Sequence, residues 1–266
     1  LTDTGFFYTR RFMRIYPPFL LASVGFLWLG LVDERTFFKG ITLSNMFLGS
    51  DFLTLWFVTL IAILYLILPV FLIRYSAVRV IAVTSIVCLA LYLIHAVSDR
   101  VDLRLPRYLI PFAVGVIASR SRLQQLMLTP LTVAIAVPLF VAADIAFGRA
   151  GVIGQEVVVE MAILASLPLM LYLGKAVTPI LHRRTIDVIA YGSYMTYLVH
   201  RIVFEGAMWV YRPSDLSTAV LYFIGCVMPI TILSGAAIQR TYDVVLHFWH
   251  RRFGLQLSLA QASRRS

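Results

Sequence analysis

The sequence predicts an all-α fold: a polytopic transmembrane helical bundle of about eight spans, with a C-terminal interfacial amphipathic helix. Three observations carry that prediction. Of the 266 residues, 60% are hydrophobic and 14% are charged, whereas a soluble domain averages roughly 25% charged. With a mean hydropathy of +0.87, the chain holds more apolar surface than one soluble core can bury, so lipid is the expected solvent. Apolar runs of helical length recur along the chain, separated by short polar loops. The net charge of +10 is dispersed in small groups between those runs, which fits loops flanking spans and excludes a contiguous nucleic-acid surface.

A span needs roughly 20 apolar residues. The first candidate, about 17–32, follows Arg10-Arg11-Phe12-Met13-Arg14-Ile15-Tyr16-Pro17. Three cations within five residues and then a proline read as a chain entering a bilayer from the cytoplasmic side. All three are arginine, whose planar fork also suits phosphates, so the block reads as an anion clamp as well. The second candidate, 53–73, opens with Leu55-Trp56-Phe57 and continues through Tyr65 and Pro69, a pattern that an aromatic belt and helix packing explain. The third and fourth, 80–97 and 107–119, flank a charged loop; the fourth is short. The fifth, sixth, seventh and eighth are 126–147, 152–173, 186–210 and 217–238.

Orientation follows from counting Lys and Arg. With Arg10 to Arg14 cytoplasmic and every span crossing, fifteen cations fall inside, seven outside, and Arg201 within a span. Beyond Arg240, Tyr242, Val245, Leu246, Trp249 and Phe253 follow helical spacing, with Asp243, His247, His250 and Arg251 on other faces. That is the pattern of a helix lying on the cytoplasmic leaflet. The expected organisation is a membrane domain over 1–240 and a basic amphipathic tail over 241–266.

Cys88 and Cys226 both lie in apolar runs, with neither metal spacing nor a disulfide framework. No metal site is expected. The richest polar cluster is Tyr191-Gly192-Ser193-Tyr194-Met195-Thr196-Tyr197-Leu198-Val199-His200-Arg201, followed by Glu205. Arg201 and Glu205, four apart, can pair on one helix face. His200 can serve as base, proton relay or hydrogen-bond donor, or can simply bond between helices. The chain contains no GxSxG, HExxH, Walker loop or CxxC motif.

Three of these segments form an ordered series. The arginine block resembles the arginine motif of the acyltransferase-3 family of integral membrane O-acyltransferases. Leu55-Trp56-Phe57-Val58 with Tyr65-Leu66-Ile67-Leu68-Pro69 resembles that family's "LWFL…YLL.P" span. Ser193-Tyr194-Met195-Thr196-Tyr197-Leu198-Val199-His200 resembles its late "SY.IYLVH" helix. The resemblance covers residues 6 to about 240. It implies a bacterial inner-membrane enzyme with a cytoplasmic N-terminus that moves an acyl group, acetyl in the usual case, from acyl-CoA to a hydroxyl of a carbohydrate or lipid-linked saccharide. Acyl-CoA is then a co-substrate, with no tightly bound cofactor, and the lipid bilayer and the saccharide are the partners.

The resemblance further implies that Arg10, Arg11 and Arg14 bind the donor. It makes His200 a catalytic candidate and makes Trp56, Tyr65, Tyr194, Tyr197, Arg201 and Glu205 line the substrate. Two departures stand out. Nine residues precede Arg10, so the family's first two spans, and the principal catalytic histidine carried there, are expected to be missing from this sequence. The acidic pair that many members carry in the "LWF" helix is replaced by Ile61-Ala62. The rival readings are a multi-span transporter or flippase and an inactive truncated acyltransferase remnant.

Overall fold

The computed structural model describes residues 4–49, 52–147, 152–180 and 182–253, which are helical with no strand among them. The helices are α1 (Thr4–Trp28), α2 (Glu34–Ile41), α3 (Trp56–Leu72), α4 (Ala77–Ser98), α5 (Arg104–Ser119), α6 (Leu123–Met127), α7 (Pro130–Phe147), α8 (Val152–Val177), α9 (Arg183–Val210), α10 (Leu216–Tyr222) and α11 (Met228–Phe253).

Sequence punctuation accounts for most of the boundaries. Leu53–Leu55 makes a tight 3-10 turn before α3. The expected span over 126–147 is interrupted because Pro130 has no N–H to continue α6 and instead opens α7. The hydroxyl of Thr129 accepts from the backbone N–H of Thr132 at 3.3 Å and so caps that start. Asp215 caps α10 by accepting from the backbone N–H of Thr218 at 2.9 Å and from its hydroxyl at 2.7 Å. These bonds to Thr218 hold the Asp215 carboxyl below its ordinary value. Between α10 and α11, Phe223–Val227 winds as a π-helical turn just before Pro229, with the Met228 N–H bonded to the Phe223 carbonyl. α11 then runs through Arg240 to Phe253 without a break, so the amphipathic stretch is the continuation of that helix. Among its residues, the side chains of Trp249, His250, Arg251 and Phe253 lie outside the described ones.

Among the described residues, five helical segments are long and apolar enough to cross a membrane: Leu53–Leu72, Ala77–Ser98, Pro130–Phe147, Val157–Val177 and Leu216–Phe248. The other expected spans, at 17–32, 107–119 and 186–210, are helical but outside that set. α1 carries its arginines and two prolines within the helix, α5 has only 16 residues, and α9 mixes polar groups along 28 residues.

The chain divides into two compact units. The first comprises Leu1–Ile41, Phe52–Val58 and Arg184–Ser266. Its core holds Phe19, Phe26, Phe52, Leu55, Met195 and Leu198, all essentially buried. Phe19 meets Phe52 edge to face at 5.9 Å. The second comprises Thr42–Asp51 and Thr59–Arg183. There α7 packs on α8 and α4 on α5, and Leu60, Phe71, Val80 and Leu109 are buried. The buried Thr59 hydroxyl donates to the Asn45 side-chain oxygen at 2.6 Å. His95 Nδ1 bonds the Val101 carbonyl at 2.7 Å and ties the end of α4 to the following loop. In this unit large apolar side chains face outward, among them Val78, Ile86, Leu93 and Val97 of α4. Such a surface has lipid as its natural solvent. The chain is an integral membrane protein.

Candidate functional site

The first unit gathers most of the polar residues singled out above. α1 is helical from Thr4, so Arg10, Arg11 and Arg14 sit on a helix, not on a loop leading into one, and Pro17 and Pro18 lie inside it. Arg14 is four positions from Arg10 and three from Arg11, which makes all three neighbours on one helix surface. The Arg10 side chain lies outside the described ones. The Arg11 guanidinium sits 5.5 Å from the centre of the Phe7 ring, a cation–π contact one turn back. Arg14 is exposed.

An interior proline costs about 3 kcal/mol, partly because it removes the N–H that would bond the carbonyl four residues earlier. Pro17 deprives the Met13 carbonyl of that donor, and the Tyr242 hydroxyl of α11 donates to it instead. Two residues on, the Tyr194 hydroxyl of α9 donates to the Ile15 carbonyl at 2.7 Å. Arg14 stands between these two anchored carbonyls. Tyr16, on the same turn, donates to the Ile41 carbonyl at 2.8 Å and stacks on Phe12 at 4.8 Å.

α9 and α11 meet backbone to backbone. A Cβ on Gly192 would lie 2.8 Å from the Ala236 nitrogen, and one on Gly235 would lie 2.5 Å from the Thr196 nitrogen. The small-residue stretch Ser234-Gly235-Ala236-Ala237 therefore serves a contact within this chain. Alongside it, the Tyr191 hydroxyl donates to Asp243 Oδ2. Gln239, almost fully buried, donates to Asp243 Oδ1 at 2.9 Å.

Further along α9, the Tyr197 hydroxyl donates to the Thr54 carbonyl. A ladder of rings follows, with centroid separations of 5.4 Å from Phe57 to Tyr197, 5.7 Å from Tyr197 to His200, 5.6 Å from His200 to Phe204 and 5.4 Å from Phe204 to Phe223. His200 Nδ1 bonds the Tyr197 carbonyl of its own helix. A carbonyl only accepts, so Nδ1 carries the proton, and in the neutral ring Nε2 keeps a lone pair for another partner. The Thr54 hydroxyl, beside the Tyr197 anchor, is buried with no hydrogen-bond partner among the described residues. Arg201 and Glu205 form their ion pair at 2.9 Å, both partly exposed. Trp56 meets Phe57 edge to face at 5.8 Å. Tyr65 belongs to the second unit and is not among the residues gathered around Tyr197 in the first.

Sequence reasoning missed Gln239, Tyr242 and Asp243 as members of this assembly, having given Tyr242 and Asp243 to the tail. Two signals point to them. Paired prolines inside a helix demand outside donors, and Gln239 and Asp243 are polar residues four apart near the end of an apolar run. No group of three or more His, Cys, Asp or Glu side chains able to hold a metal occurs among the described residues.

Residues 2–238 match the sequence profile of the family described as "Acyltransferase domain". Comparison with curated proteins and with solved structures gives no match. The family match takes in the arginine helix, the "LWF" helix and the tyrosine–histidine helix together, so the chain belongs to the acyltransferase-3 family of membrane acyltransferases.

Proposed function

We propose that the protein transfers an acyl group, acetyl in the first instance, from acyl-CoA to a hydroxyl of a carbohydrate or lipid-linked saccharide. The observation that carries this reading is the placement of Arg14: an exposed guanidinium on a helical turn whose neighbouring carbonyls are pinned by Tyr194 and Tyr242. A fork held on a fixed turn suits the phosphates of a CoA thioester. Arg10 and Arg11 add positive charge on the same helix surface.

In the proposed reaction a base takes the proton of the acceptor hydroxyl, whose oxygen attacks the thioester carbonyl. The C–O bond forms, the C–S bond breaks, and the proton returns to the departing CoA sulfur. The principal base is assigned to the histidine that the family carries in its first span. His200, with its Nε2 lone pair and its aromatic walls, lines the path of the reacting groups beside Tyr197. Thr54, whose buried hydroxyl has no partner among the described residues, is suited to bond a substrate oxygen, since an unmet buried hydroxyl costs about 1–3 kcal/mol. Trp56, Tyr194, Arg201 and Glu205 are assigned to the substrate path. The arginine end of α1 faces the cytoplasm of a bacterial inner membrane in this scheme, where acyl-CoA is made.

The test is transfer of radiolabelled acetyl from acetyl-CoA to membrane glycans by the reconstituted protein, its upstream spans included where the coding sequence supplies them. Arg14→Ala is expected to raise the donor KM by roughly tenfold or more, the worth of one charge-assisted bond. Normal labelling with a normal donor KM in that variant contradicts the reading.

A further inference from the structure

The ring ladder that passes His200 does not stop at Phe223. Tyr211 meets Tyr222 edge to face at 5.1 Å, and the Tyr222 hydroxyl donates to the Ala207 carbonyl at 3.0 Å. Tyr211 itself continues the last turn of α9, its backbone N–H bonded to the Ala207 carbonyl at 2.9 Å. Tyr197, His200, Phe204 and Tyr211 follow the three-, four- and seven-residue steps of a single helix face. Opposite them, two successive rings, Tyr222 and Phe223, both reach α9, where the π-helical turn begins. Single π turns occur frequently at functional sites.

These rings are not core. Phe19, Phe26 and Phe52 are 0% exposed, whereas Tyr211 is 45% exposed and Tyr197, His200, Phe204, Tyr222 and Phe223 are half-buried. At its inner end the stripe reaches the Thr54 hydroxyl, buried with no hydrogen-bond partner among the described residues, and the Nε2 lone pair of His200. A face covered by lipid tails needs neither rings nor polar groups, as the outward Val78, Ile86, Leu93 and Val97 of α4 show. A sugar uses both. Its C–H faces lie against the negative face of an aromatic ring, and its hydroxyls take a donor and an acceptor. The stripe also leads away from the arginine turn. Tyr194, which bonds beside Arg14, and Tyr211 stand 17 positions apart, about 25 Å along a helix.

We propose that the aromatic stripe of α9 and α10, from Tyr211 and Tyr222 to His200, is the binding track of the acceptor saccharide, which reaches the reacting groups from the end of α9 opposite to the donor. The inference rests on the functional reading above for the acceptor's being a saccharide.

The test is the reconstituted transfer assay above, with the membrane glycan fraction and acetyl-CoA titrated separately, on the wild type, Tyr211→Phe, Tyr211→Leu and Phe223→Leu. Leucine fills much of the space of a ring and suits lipid equally well, but offers no ring face. Each leucine variant is expected to raise the glycan KM roughly three- to tenfold, the worth of one stacked ring, with the acetyl-CoA KM within twofold of wild type. Tyr211→Phe, which keeps the ring, should match the wild type. In the wild type, glycan at saturating concentration should slow nitration of Tyr211 by tetranitromethane, read by mass spectrometry, a measurement that needs no variant to fold. A wild-type glycan KM in either leucine variant overturns the proposal and leaves the functional reading standing, as lipid covering the stripe would give. Equal losses for both substrates, a Tyr211→Phe as impaired as Tyr211→Leu, or nitration that glycan does not slow also overturn it. Absence of transfer to glycan by the wild type removes the functional reading and this proposal with it.

Discussion

Tyr242 and Pro17 form the most instructive pair of single residues. The proline removes a helical donor from the Met13 carbonyl, and a phenol 229 positions away supplies one. Tyr242→Phe should therefore leave a carbonyl unsatisfied and lower stability by about 1–3 kcal/mol. Pro17→Ala gives that carbonyl back its own helical donor, so the double variant should regain most of the loss. Thermal unfolding of the four proteins in detergent checks the cycle, and equal losses with and without Pro17 would refute the link. The arginine block was readable from sequence because its signal is local: three forks in five residues before a proline. The phenols that hold it were not, because nothing near Met13 names a partner from the last helix. His200 was likewise visible as a candidate, whereas its bond to its own helix, which leaves Nε2 free for chemistry, depends on a side-chain rotation that spacing does not encode.

Among elements, the crossing of α9 and α11 shapes the site most. Hydrogen is the only substituent Gly235 can carry at this distance from Thr196, and the same closeness lets Tyr191 and Gln239 share one carboxylate. Gly235→Ala should force the helices apart and cost about 1–3 kcal/mol, read as a lower melting temperature together with weaker CoA binding. A wild-type melting temperature would show that the crossing tolerates a methyl group. The sequence showed the small residues without showing whose helix they meet. It also placed helices wherever apolar runs occurred, and each of those runs is helical. Runs and spans are different things, however. α1, α5 and α9 stand outside the set of five because arginines and prolines, shortness and a polar stripe, respectively, replace continuous hydrophobicity. The break at Thr129-Pro130 falls inside an expected span for a reason visible in retrospect, since proline cannot continue a helix but starts one well.

For the whole molecule, composition and order of motifs carried the reading further than any single residue did. A charged fraction of 14% and outward-facing apolar helices agree that lipid surrounds much of the chain, and the ordered motifs identified the family. The grouping into two units, with Trp56 in one and Tyr65 in the other, was hidden from sequence because both residues lie on the single helix α3. The most direct test of the central claim, that the tied arginine turn of α1 receives the acyl donor, is photolabelling of the reconstituted protein with a diazirine-bearing acyl-CoA, followed by mass spectrometry of the modified peptides. The account predicts label within α1 or α9, at residues flanking Arg14 or Tyr197, abolished by excess CoA. Label that excess CoA does not remove, or label confined to α7 and α8, would contradict it.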